Sequence, residues 1–81
     1  MKIIVIGSHL CPDTIYAVCK LKEKKINFDF RDISSNFTAL KEYLSLREAN
    51  PIYEEVKIKG GLGIPCFLKG EEITLNLDDV L

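Results

Sequence analysis

The sequence predicts an α/β domain of order β-α-β-α-β-β, with a mixed four-stranded sheet and a truncated final helix. Three observations predict it. "KIIVI" at 2–6 is a short run of β-branched residues, which fits a strand buried on both faces. Apolar residues then recur at helical spacing in two separate stretches, each preceded by residues that start helices. Finally, two brief apolar runs near the end, 64–68 and 72–76, are spaced for a hairpin.

Taken in order, "GSHLCP" at 7–12 ends the first strand. From about Asp13 to Lys24, Ile15, Val18, Cys19 and Leu21 mark the inner stripe of a helix. Pro12 suits its first turn, because the amide that proline lacks would have no intrahelical partner there. "KEKK" at 22–25 closes it, with cations at the negative end of the dipole. "INFDFRDI", 26–33, alternates apolar and polar residues and reads as a second strand. "SSN" at 34–36 offers an N-cap to a helix carrying Phe37, Leu40, Tyr43, Leu44 and Leu46, which Pro51 bounds. "IYEEVKIKGGLG" reads as a short helical turn and then a glycine-rich loop; "GGLG" lacks the lysine-serine end and the following helix of a phosphate loop. "IPCFL" and "EITLN" form the hairpin around Lys69-Gly70-Glu71, and "LDDVL" has room for one or two helical turns. A strand, a crossover helix and a second strand imply a right-handed parallel unit, and the hairpin adds antiparallel strands.

The 81 residues make a single domain, 1–81, without repeats or linkers. A chain of this size buries roughly 60 to 65% of its unfolded surface. With 47% apolar residues and a net charge of −1, it shows no footprint for nucleic acid or an anionic membrane. The apolar run of "MKIIVIGS" is too short for a signal-peptide core or a membrane span, so a cytoplasmic monomer is expected. Three cysteines there would be kept reduced, and a disulfide would be transient and catalytic. Cysteines at 11, 19 and 66 with a single histidine give no zinc spacing, so no metal is expected.

Two short motifs bear on function: "CPDT" at 11–14, between the first strand and first helix, and "GIPCF" at 63–67, opening the third strand. The first is similar to the C-P-x-C, or monothiol C-x-x-S, of glutaredoxins, and the second to their T-V-P-x-x-F. Over nearly its whole length the chain resembles the glutaredoxin family. That resemblance implies a thioredoxin fold, a cis Pro65 facing Cys11, and a glutaredoxin-like thiol-disulfide oxidoreductase of redox homeostasis. Its substrates would be disulfide-bearing proteins or glutathione mixed disulfides. No cofactor would be held permanently, and glutathione or another low-molecular-weight thiol would serve as co-substrate. In this reading Cys11 is the nucleophile, the backbone of Ile64 beside Pro65 aligns the substrate, and Asp78 and Asp79 receive a ligand ammonium group. The chain departs from the family in three places. Gly7-Ser8-His9-Leu10 lacks the lysine that precedes the active cysteine, the Gly-Gly before the last helix is missing, and that helix is cut short.

The residues themselves support part of this chemistry. Thiol exchange proceeds through the thiolate, and a helix N-terminus points free amides and the positive dipole end at Cys11. Pro12 fixes that first turn, whereas the charge of Asp13 opposes a second negative charge. Thr14, three residues on, is placed to donate a hydrogen bond to the thiolate. With threonine at 14 the exchange is monothiol: Cys11 takes up the glutathione and a second thiol releases it. Cys66 is either a resolving thiol near the site or a strand residue facing the core, because alternate strand residues point to opposite faces. Cys19 lies about 12 Å along the helix axis from Cys11, too far for a disulfide, and is expected in the core. His9 is either a cationic neighbour that greets an anionic ligand or a solvated loop residue. The alternatives to an enzyme are a binding domain, a sensor oxidised once at Cys11, or an iron-sulfur carrier; cluster-binding members of the family carry C-G-F-S, which "CPDT" is not.

Overall fold

A computed structural model describes residues 2–81. Its elements run β1 (Ile3–Gly7), α1 (Pro12–Glu23), β2 (Phe28–Asp32), α2 (Phe37–Ala49), a 3₁₀ turn (Pro51–Tyr53), α3 (Glu54–Ile58), β3 (Cys66–Lys69), β4 (Glu72–Thr74) and a last 3₁₀ turn (Leu77–Asp79). The four strands form one mixed sheet in the order β2-β1-β3-β4. β1 and β2 are parallel, and β3 runs antiparallel to both β1 and β4. The truncated final helix is a single 3₁₀ turn, capped by Asn76 through its bond from the Asp78 amide.

Strand alternation divides the core into two layers. Ile3 and Val5 of β1 pack with Phe67 of β3 against Ala17 and Leu21 of α1, and Val80 closes that layer. Ile6 of β1 and Cys66 of β3 point the other way, against Tyr43 of α2 and Tyr53 of the 3₁₀ turn. β1 is thus buried on both faces, as its unbroken apolar run requires.

The helix starts follow the sequence. Asn36 caps α2 by accepting from the Ala39 amide at 2.9 Å. Arg31 Nη1 donates to both Glu42 oxygens, at 2.7 and 2.6 Å, and ties α2 to the edge strand β2. The inner face of α1 differs from the expected one. Thr14, Ala17 and Leu21 are its buried residues, Val18 is half-buried, and Ile15 and Cys19 face solvent. Cys19 is therefore not in the core. The helix turns about 100° per residue, and the stripe is fixed by Thr14 fitting against the end of β1, one residue out of phase with Ile15. On α2 the same effect leaves Phe37 and Leu44 exposed while Ala39 and Tyr43 are buried. No helix among the described residues is long and apolar enough to cross a membrane.

Candidate functional site

Register places the site. β1 and β2 end flush, with Gly7 opposite Asp32, and the Ile33 amide donates to the Gly7 carbonyl at 2.8 Å. The loops after the two strands therefore leave the sheet side by side. On the other side of β1, Ile6 lies opposite Cys66, the first residue of β3. The loop that enters β3, with Ile64 and Pro65, arrives at the same edge. Three loops distant in sequence thus meet at the C-terminal end of β1 and β2, the usual place for ligands on parallel strands.

Between them lies a groove of about 480 Å³. Leu10 and Cys11 come from the first loop, Ile33 from the second, and Leu62 and Ile64 from the third; the polar groups are the hydroxyls of Ser8 and Ser34. Cys11 is half-buried and is the N-cap of α1, with no side-chain capping bond. Its carbonyl accepts from the Ile15 amide at 3.1 Å, and its own amide donates to the Ser8 carbonyl at 3.0 Å. The Asp13 and Thr14 amides, in the first turn, have no intrahelical partner and point toward the sulfur end of the helix. The peptide bond between Ile64 and Pro65 is cis.

The first two loops are joined by Asp32. Its carboxylate accepts from the His9 amide (3.2 Å), the His9 ring at Nδ1 (2.6 Å), the Ser34 amide (3.0 Å) and the Ser35 hydroxyl (2.9 Å). Burial alone would raise this carboxyl, but the bonds from Ser34, Ser35 and His9 outweigh it and hold it at about 2, below the ordinary 3.8. The hydroxyls of Ser8 and Ser34 bond each other, and Ser8 Oγ also accepts from the Leu10 amide at 3.0 Å. Sequence reasoning missed Asp32, Ser8 and Ser34. The available signal was Asp32 followed by Ser34 and Ser35, the pattern of an aspartate bonding the backbone two residues on.

The third loop is held from α2 and the 3₁₀ turn. Tyr43 donates its hydroxyl to the Leu62 carbonyl, and Arg47 Nη2 donates to the Gly61 carbonyl at 2.8 Å. Gly63 has φ +75°, and a Cβ there would stand 2.7 Å from Tyr53 Cε1. Only glycine meets both demands.

The expected site residues separate into those the groove gathers and those it does not. Cys11 and Ile64 line it together. Pro65 lines an adjoining depression of about 430 Å³, with Asp13, Tyr16 and Asp78, that meets the groove at Ile64. Pro12 is exposed at the first position of α1. His9 is half-exposed and engaged with Asp32. Asp79 does not face the groove, since its carboxylate accepts from the Thr74 hydroxyl at 2.6 Å. Thr14 is fully buried, and its hydroxyl accepts from the Ser8 amide at 3.4 Å instead of bonding Cys11. A Cβ on Gly7 would stand 2.5 Å from that hydroxyl, so the two residues fit only as a pair.

Cys66 is also fully buried, in the layer that faces α2. Burial pushes its thiol up, opposed by the neighbouring Tyr53 hydroxyl. That hydroxyl has no oxygen or nitrogen partner among the described residues, and burial raises it too. Cys66 thus packs the strand into the core, the second of its two sequence readings.

A protein of Haemophilus influenzae is 31% identical to this chain over 67 residues, covering 83% of this chain and 78% of that protein. The chain belongs to the family of this Haemophilus protein. Its relative is described only as an uncharacterized protein. No family model matches the chain, and no solved structure matches it significantly.

Proposed function

We propose that this protein is a thiol-disulfide oxidoreductase of thioredoxin fold, similar to glutaredoxins, with Cys11 as its exchanging thiol. The observation that carries the reading is the groove itself: Cys11 at the head of α1 shares it with Ile64, 53 positions later in the chain (64 − 11). Ile64 makes no hydrogen bond through its amide or carbonyl among the described residues, which leaves a short strand edge for an extended partner.

In the exchange, the Cys11 thiolate attacks one sulfur of a partner disulfide. A bond forms between Cys11 and that sulfur as the partner's S–S bond breaks, and the other sulfur leaves as a thiolate and takes a proton from water. A low-molecular-weight thiol then attacks the mixed disulfide, restores Cys11 and carries the second sulfur away in a new disulfide. Each step exchanges one S–S bond for another, and the reducing equivalents come from that thiol. Free amides at the start of α1 offset the negative charge on the sulfur during transfer. Among the described residues no second thiol lines the groove, which supports a monothiol route.

The test uses reduced protein and bis(2-hydroxyethyl) disulfide, a small neutral disulfide, with adducts mapped by mass spectrometry. Cys19, exposed on the same molecule, is the internal reference. We expect the adduct on Cys11 to form at least about ten-fold faster than on Cys19, and added thiol to remove it. Equal rates at the two cysteines would sink the reading. A Cys11 adduct that resists the added thiol would point to a sensor oxidised once.

A further inference from the structure

Resting on that reading, we propose that the groove takes a polypeptide disulfide, with an apolar residue on one side of the cysteine and a basic residue on the other, in preference to glutathione.

The lining residues argue for this. Among the described residues no charged side chain lines the groove beside Cys11. Leu10 and Leu62, on opposite loops, are 74% and 59% exposed. Such large apolar side chains held open on either side of a reactive group are stabilised by an apolar partner. Past Ile64 the character changes. The adjoining depression carries the carboxylates of Asp13 and Asp78 and the ring of Tyr16, with no cation among the described residues that line it. Neither carboxylate is in an ion pair among the described residues. A partner chain lying along the free edge of Ile64 would have neighbours of its cysteine on both sides of that residue. One would meet the apolar walls and the other the two carboxylates.

Glutathione matches only part of that pattern. Its single ammonium group suits the carboxylate of Asp78, but it carries two carboxylates of its own and no apolar side chain for Leu10 and Leu62. Among the described residues nothing cationic lines either depression to receive those carboxylates. The His9 ring, a basic group on the first loop, is already turned onto Asp32 at 2.6 Å.

Three disulfides would be compared on the intact reduced protein. The first is a capped peptide with leucine and lysine beside a single cysteine, made in both orders and blocked with 2-mercaptoethanol. The second is the same peptide with both neighbours changed to glutamate. The third is oxidised glutathione. Rates of adduct formation at Cys11, each divided by the rate of the same disulfide with free N-acetylcysteine, remove intrinsic reactivity. We expect one order of the leucine–lysine peptide to react at least ten-fold faster than either competitor. Leu62→Ser and Asp78→Asn should each narrow that preference several-fold, at exposed positions where folding is not at stake. The proposal is overturned if glutathione or the glutamate peptide reacts as fast, or if both variants keep the full preference. If Cys11 outpaces Cys19 with all three disulfides but without preference, only the partner assignment fails. If it outpaces Cys19 with none, the exchange reading falls as well.

Discussion

The three cysteines differ by environment more than by neighbours in the sequence. Cys11 sits half-buried at the mouth of a groove, Cys19 lies on the solvent face of α1, and Cys66 is enclosed between Ile6, Tyr43 and Tyr53. A thiolate in that last position would be stripped of water, which is why burial raises its pKa. Alkylation of the native protein with iodoacetamide should therefore label Cys11 and Cys19 and leave Cys66 untouched until denaturant is added. Peptide mapping reads the result directly. Labelling of Cys66 at the rate of Cys19, or an isolated Cys11–Cys66 disulfide after mild oxidation, would show that the strand exposes this residue. The choice between strand packing and a resolving role was open in the sequence, because alternation is legible there but its phase is not. The register of β3 on β1, Cys66 opposite Ile6, decides it.

At the scale of elements, the strands, helices and their order were legible because each rests on local chemistry: β-branched runs, Pro12, the Asn36 cap and the glycines before β3. What periodicity could not fix was the rotation of α1. Ile15 and Cys19 looked as apolar as Ala17, and the choice was made by Thr14 packing on Gly7, a contact between two elements. The loop into β3 shows the same dependence in a form that can be measured. Gly60 and Gly63 both have φ +75°, but a Cβ on Gly60 meets nothing within 4 Å, whereas one on Gly63 meets the Tyr53 ring at 2.7 Å. Gly60→Ala should cost about 1–2 kcal/mol, the ordinary penalty of a left-handed residue. Gly63→Ala should cost a further 1–3 kcal/mol or so, because Tyr53 is fully buried and cannot move aside. Urea unfolding of the two variants checks this, and equal midpoints would mean that the loop relaxes away from Tyr53. A shifted loop would also carry Ile64 away from Cys11, so Gly63→Ala should slow exchange more than Gly60→Ala does.

For the whole molecule, the groove is a consequence of topology. Parallel pairing of β1 with β2 and antiparallel pairing of β1 with β3 bring three loop segments to one edge, and no local signal announces that Asp32 will reach the loop before Cys11. That connection gives the fold a specific acid sensitivity. The Asp32 carboxyl is held at about 2, against an ordinary 3.8, by bonds from Ser34, Ser35 and His9 that outweigh its burial. A group whose native pKa is depressed contributes stability that is fully present above its unfolded value and lost as pH falls through the native one. The contribution of Asp32 should therefore be complete at pH 5 and decline between about pH 4 and pH 2. Urea midpoints measured at each pH for the native chain and for Asp32→Asn separate this from general acid unfolding. At pH 5 the variant should be the less stable, because an amide cannot accept all four bonds. The gap should close toward pH 2, where the native carboxyl is itself becoming neutral. A gap that stays constant across the range would mean that Asp32 contributes by packing and not by charge, and that the two loops beside Cys11 are held together by the Ser8–Ser34 bond and the sheet register instead.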